Sequence, residues 1–193
     1  RKMHKIRILQ TNYPTETTHN YESNGTPRAS IHEEANRDVV PLDKISPNLK
    51  RAVMAIEDSN FFTHKGINPG GIARALIVNL EKGRTVEGGS TMTMQLVKNL
   101  FLSPQSKFSR KIAEAVMSIR LEQILNKDKI LQLYMNQIYL GHNLYDVETA
   151  SRSYYNKSAD SLTIAEAAML ADLISDPEEY SPFVNYKLSK ERQ

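Results

Sequence analysis

Two glutamates, one opening and one closing a charged run, are the residues of this chain best suited to chemistry. Glu57 opens Glu57-Asp58-Ser59-Asn60-Phe61-Phe62-Thr63-His64-Lys65-Gly66, and Glu114 closes Arg110-Lys111-Ile112-Ala113-Glu114. Between them lies Gly88-Gly89-Ser90-Thr91-Met92-Thr93-Met94-Gln95-Leu96-Val97-Lys98-Asn99. Glu57 follows Val53, Met54, Ala55 and Ile56 at an expected helix end and precedes two phenylalanines. Burial in such surroundings disfavours a charged carboxylate, the tuning that general-base work near neutral pH requires. Glu114, with Arg110 one helical turn before it, suits a charged, orienting role. An acid among apolar residues, a glycine-hydroxyl turn and an acid beside cations together fit chemistry on a charged, oxygen-rich substrate.

Each piece alone has a plainer reading. A lone Glu-Asp pair is more often a solvated helix end. Gly88-Gly89-Ser90-Thr91 reads as a turn and helix cap, or as backbone that approaches a substrate with hydroxyls and N–H groups offered to an anion. It is not a phosphate loop, because no Gly-Lys-Ser/Thr ending is present. Gln95 and Lys98 share a helix face. His64, a single histidine with no matching cluster, argues against a zinc site. On the helix bearing Glu114, the stripe Ile112, Ala115/Val116, Ile119 defines one side. At about 100° per residue Glu114 falls opposite, on a face with Arg110, Met117 and Leu121 that is apolar enough to cover something.

The bulk numbers narrow the classes. At 193 residues the chain can bury a core of its own. A formal charge of +3 and a pI near 9.0 give a mild basic bias, and no nucleic-acid-binding motif accompanies it. The absence of cysteine excludes disulfides, thiolate metal sites and a cysteine nucleophile. No apolar run approaches the ~20 residues of a membrane-spanning helix.

Residues 1–40 read as extended chain around a turn at Asn24-Gly25, with short strands flanking it. From Pro41 onward the pattern is helical. Asn68-Pro69 marks a helix start and Gly83 a stop, and Lys107 to Asn126 and Lys129 to Tyr139 repeat at helical spacing. Thr163-Ile164-Ala165-Glu166 forms a capping box before an alanine-rich helix to about Ile174.

Taken together and in this order, the segments resemble the peptidoglycan glycosyltransferases, glycosyltransferase family 51. This is the domain of class A penicillin-binding proteins and of monofunctional transglycosylases. The resemblance runs over about residues 20–186 and includes Ala35-Asn36-Arg37, the three runs above, Lys127 to Asn136, Tyr154-Tyr155 and Leu162 to Leu173. It implies a mainly α, lysozyme-like bilobed domain over 23–186 with a small membrane-associated lobe. Residues 1–22 would be an extended linker after a membrane anchor upstream, and residues 187–193 a tail. It implies lipid II as substrate, polymerised with inversion and release of undecaprenyl pyrophosphate. Glu57 would be the general base and Glu114 the second essential acid. Asp58, His64, Ser90, Thr91, Gln95, Lys98, Arg110 and Lys111 would line or contact the substrates. No cofactor is required, although a divalent cation, magnesium or manganese, at Glu114 is compatible. The implied partners are the growing lipid-linked glycan, the membrane surface, a covalent transpeptidase domain downstream and a moenomycin-type inhibitor. The implied place is the extracytoplasmic face of the bacterial cytoplasmic membrane. Three departures stand out: Met94 where the family has a first glutamine, Asn68 where it has aspartate, and Ser106 at a position commonly basic.

Joining fits the charges better than cutting. A glycosidase must protonate an alkoxide leaving group and needs an acid there. A pyrophosphate leaves as an anion and needs fixed cations, which Lys98, Arg110 and Lys111 supply. The hydrophobic residues Phe61, Phe62, Ile72 to Leu80, Met92 and Met94 would suit an interfacial lobe.

Overall fold

In the computed structural model, residues 40–101 and 107–175 are described. Among these residues a short 3-10 turn, Leu42–Lys44, leads into seven α-helices: α1 Pro47–Glu57, α2 Pro69–Lys82, α3 Met92–Phe101, α4 Lys107–Ile124, α5 Lys127–Met135, α6 Val147–Tyr155 and α7 Ile164–Leu173. Among the described residues the only extended pairing is an isolated bridge between Tyr139 and Tyr145. The mainly α class read from the sequence is borne out. The expected strands beside Asn24-Gly25 lie outside the described residues.

Side chains that satisfy orphan backbone groups set the helix starts. Ser46 accepts the Asn48 N–H before α1, and Asn68 accepts the Gly71 N–H before α2, each followed by proline at the first helical position. α2 stops where Gly83 takes a left-handed φ of 63°. Thr163 and Glu166 close the expected capping box at α7. α5 begins and ends earlier than the expected Lys129 to Tyr139. Asn126 accepts the Lys129 N–H and starts it, and the Asn136 side chain bonds both N–H and C=O of Val40, drawing the chain out of the helix.

The core gathers α1 against α7, α3 against α4 and α5, and α6 against α7. Leu49, Val53, Met92, Leu96, Leu121 and Ile130 are fully enclosed there. Phe61, Met92 and Met94, expected at a membrane-facing lobe, are core residues instead, at 1%, 0% and 4% exposure. Phe61 and Met92 belong to the main hydrophobic core.

Two glycines are dictated by close approach. Gly66 has φ 93°, and a Cβ there would lie 2.6 Å from the α4 backbone at Ser118 and Ile119. Only glycine lets the loop from Glu57 to Asn68 cross α4 at that distance. A Cβ on Gly89 would meet the Ile72 Cα at 2.9 Å, so the Gly-Gly turn rests on α2.

On α4 the face of Glu114 and Leu121, expected to cover something, is the buried one. Ile112 and Val116 are 53% and 45% exposed, whereas Glu114, Ser118 and Leu121 are buried at 1% or less. The face carrying the acid points inward, and the apolar stripe points out.

Candidate active site

Glu57 is the last residue of α1, and its position at a helix end leaves the carboxylate free to turn into an open cleft of roughly 690 Å³. Asp58, Ser90, Thr91, Gln95, Lys98 and Ser175 also line that cleft. The apolar surroundings expected for Glu57 are not what meets its oxygens. Gln95 Nε2 donates to Oε2 at 2.8 Å, and Ser175 Oγ donates to Oε1 at 3.2 Å. The Gln95 carbonyl in turn accepts from the Tyr134 hydroxyl at 3.0 Å.

Directly behind Glu57, Asp58 is engaged with the protein itself. Its Oδ2 accepts from His64 Nε2 at 2.8 Å and from the Met92 N–H, at the start of α3, at 3.0 Å. His64 Nδ1 accepts the Gly66 N–H at 3.2 Å. A backbone N–H can only donate, so Nδ1 is the acceptor in this contact and Nε2 is the ring nitrogen turned to Asp58. Beyond the imidazole, Glu122 accepts from Lys127 at 2.7 Å and from Thr93 at 2.6 Å, and the Lys127 ammonium sits 4.6 Å above the Phe61 ring. This buried network ties the loop after α1 to α3 and α4.

The α3 N-terminus differs from the expected open anion site. Its Met92 N–H is taken by Asp58 and its Met94 N–H by Thr91 Oγ1, and Thr91 itself donates to the Gly66 carbonyl at 2.7 Å. Thr91 therefore caps the helix and pins the loop. The Ser90 hydroxyl, one residue earlier, faces the charged cluster instead.

That cluster is built on the inward face of α4. Lys111 Nζ bonds Ser90 Oγ at 2.6 Å and Glu114 Oε2 at 2.7 Å, and Arg110 Nε stands 3.4 Å from Glu114 Oε1. Ser118 Oγ bonds the Glu114 carbonyl at 2.6 Å. Arg110 Nε and Glu114 Oε1 are buried with no hydrogen-bond partner. The two atoms face each other as an ion pair, in contact by charge without a hydrogen bond. Among the described residues no group of histidine and carboxylate side chains is arranged to hold a metal ion.

The sequence-identified residues thus fall into three linked places. Glu57, Gln95 and Lys98 share the cleft. Ser90 joins the cleft to Arg110, Lys111 and Glu114. Asp58, His64 and Thr91 brace both from beneath. A family model described as Transglycosylase matches residues 24–193. The chain belongs to the transglycosylase family.

Known relatives agree. This transglycosylase is 45% identical over 163 residues to penicillin-binding protein 1A of Neisseria flavescens, covering 84% of the chain and 20% of that protein. It is 40% identical over 172 residues to penicillin-binding protein 1F of Bacillus subtilis strain 168, covering 89% and 24%. Over 187 residues it is 41% identical to penicillin-binding protein 1A of Aquifex aeolicus, covering 97% and 26%. The chain therefore spans about a quarter or less of the relatives it matches. The glycosyltransferase class read from the motifs and these matches coincide.

Ser175 and Tyr134 are the site residues that the motifs did not reveal. Ser175 stands 118 positions from Glu57, and Tyr134 reaches it only through Gln95. Tyr134 lies inside Lys127 to Asn136, one of the segments that carry the resemblance, yet nothing in its spacing points toward a glutamine 39 positions earlier.

Proposed function

We propose that this transglycosylase is a peptidoglycan glycosyltransferase that polymerises lipid II, with Glu57 as general base. The observation that carries the reading is the pairing of one hydrogen-bonded carboxylate in an open cleft with a cation cluster at its rim. Glu57 takes the proton from the acceptor sugar hydroxyl as that oxygen attacks the anomeric carbon of the growing chain. The bond from that carbon to the pyrophosphate oxygen breaks on the opposite face, giving inversion. Undecaprenyl pyrophosphate departs as an anion. Lys98, Arg110 and Lys111 offset its charge, and an arginine fork suits phosphate geometry.

Glu114 serves this scheme as the counter-charge that holds Arg110 and Lys111 in place. Its single buried carboxylate is no metal cage. Magnesium or manganese, if bound, would be held by Glu114 with other oxygen ligands and would offset anionic charge, and no step is assigned to it.

The substrate's lipid requires a membrane surface, and α2 supports one. Ile72, Leu76, Ile77 and Leu80 are 42%, 60%, 57% and 72% exposed, with Phe62 at 56% nearby in sequence. Fully removing one such side chain from water is worth about 1.5–3 kcal/mol. The segment after α2 is held to it by Asn79, which accepts the Val86 and Glu87 N–H groups, and by the Arg74–Glu87 ion pair. Among the described residues no helix is long and apolar enough to cross a membrane. Placement on the extracytoplasmic face, an upstream anchor and a downstream transpeptidase domain complete the proposal.

Labelled lipid II and finished glycan, each incubated with the chain and resolved by gel, test it. Polymer from lipid II, suppressed by moenomycin, is the expected result. Shortening of finished glycan without polymer would identify a hydrolase instead.

A further inference from the structure

A carboxylate only accepts hydrogen bonds, so Gln95 must present its NH₂ to Glu57. Its carbonyl then faces away, into the protein, where an unpaired acceptor would cost about 1–3 kcal/mol. The group waiting there is the Tyr134 phenol, at 3.0 Å and 2% exposed. Burial, and after it the charges of Glu57 and Asp58, push that phenol well above its ordinary range. It keeps its proton and remains a donor.

We propose that Tyr134 is a positioning residue for the reaction, acting through Gln95 to fix the orientation of Glu57. This rests on Glu57 as the base. The chain of three runs from α5 through α3 to the end of α1: Tyr134 O–H to Gln95 C=O at 3.0 Å, then Gln95 N–H to Glu57 Oε2 at 2.8 Å. Turning the amide over would set its carbonyl oxygen against the ionised carboxylate. The phenol opposes that rotation by rewarding the productive orientation. With Oε2 held by Gln95, Oε1 is left with the longer 3.2 Å contact to Ser175 and is the oxygen that receives the proton. Tyr134 is enclosed and does not line the cleft, so its effect reaches the substrate only through Gln95.

The test is a double-mutant cycle on lipid II polymerisation with Tyr134→Phe and Gln95→Leu. Tyr134→Phe keeps the ring and removes the donor. It should lower kcat about tenfold and leave KM within about twofold, as expected for loss of one oriented hydrogen bond. In the Gln95→Leu background the same change should alter kcat by less than about twofold. Wild-type kcat in Tyr134→Phe, or an equal fall in both backgrounds, overturns the proposal. Absence of polymer from the unmutated chain would instead overturn Glu57 as the base of a lipid II polymerase. A second measurement needs neither turnover nor a folded Tyr134→Phe. In the unmutated chain, the Gln95 side-chain NH₂ resonances, identified by their loss in Gln95→Leu, should be well separated and slow to exchange with water. A pair exchanging like a solvated glutamine overturns the relay.

Discussion

Lys111 and Ser90 meet at 2.6 Å, joining the charged face of α4 to the glycine-hydroxyl turn at the cleft. Two segments that are separate in sequence thereby become one rim. The same ammonium lies 2.7 Å from the buried Glu114 carboxylate, so the rim cation is anchored from behind and presented in front. An anion arriving at Ser90 meets a charge already fixed in place, and little reorganisation is needed when charge develops.

Glu114→Gln should break this arrangement while keeping its shape. Arg110 and Lys111 lose their shared counter-charge, and polymerisation should fall by on the order of 10²–10³. Steady-state rates with labelled lipid II check this. Unchanged turnover would remove Glu114 from the account.

Lys98→Ala should act on the substrate rather than the fold. Its side chain is exposed at the cleft, so the melting temperature should stay close to that of the unmutated chain. A lost charge-assisted hydrogen bond to phosphate should cost about tenfold or more in kcat/KM. Equal kcat/KM would argue against phosphate contact at this position.

Much of this was legible in the sequence because it depends on neighbours in the chain. Asn68 before Pro69, the Thr163–Glu166 box and Gly83 each fix a helix end through groups within four residues. Asn68 also accounts for one departure from the family, since asparagine caps α2 through its side-chain oxygen without needing a charge. α4 was only half legible. Periodicity separated two faces and marked that of Glu114, Met117 and Leu121 as one that covers something, and Glu114 and Leu121 are indeed enclosed. What periodicity does not carry is the depth, for the carboxylate held by Lys111 and Arg110 is enclosed at 1% exposure. Ser175 and Tyr134 escaped because their partnership with Glu57 arises only when α7 and α5 pack beside α1 and α3.

Gly66→Ala tests the loop crossing. A methyl group would meet α4 backbone at 2.6 Å, in a conformation with φ 93°. Strain and overpacking together should destabilise the chain by about 2–5 kcal/mol. Urea unfolding followed by circular dichroism reads this directly; a midpoint equal to the unmutated chain would mean the crossing is looser than the geometry states.

Leu76→Glu with Leu80→Glu should separate membrane binding from folding. Both side chains are exposed, at 60% and 72%, so helical content should be unchanged. Binding to vesicles should drop by about tenfold or more, because two apolar contacts become two charges that lipid does not accept. Co-sedimentation with phosphatidylglycerol vesicles is the measurement. Retained binding would move the membrane contact off α2.

Glu57→Gln bears most directly on the central claim. Glutamine preserves the size of the side chain and can accept no proton from a sugar hydroxyl. In an assay with labelled lipid II, polymer formation should fall by on the order of 10²–10⁴ while thermal unfolding stays within a few degrees of the unmutated chain. Polymer made by folded Glu57→Gln at the unmutated rate would contradict Glu57 as the general base.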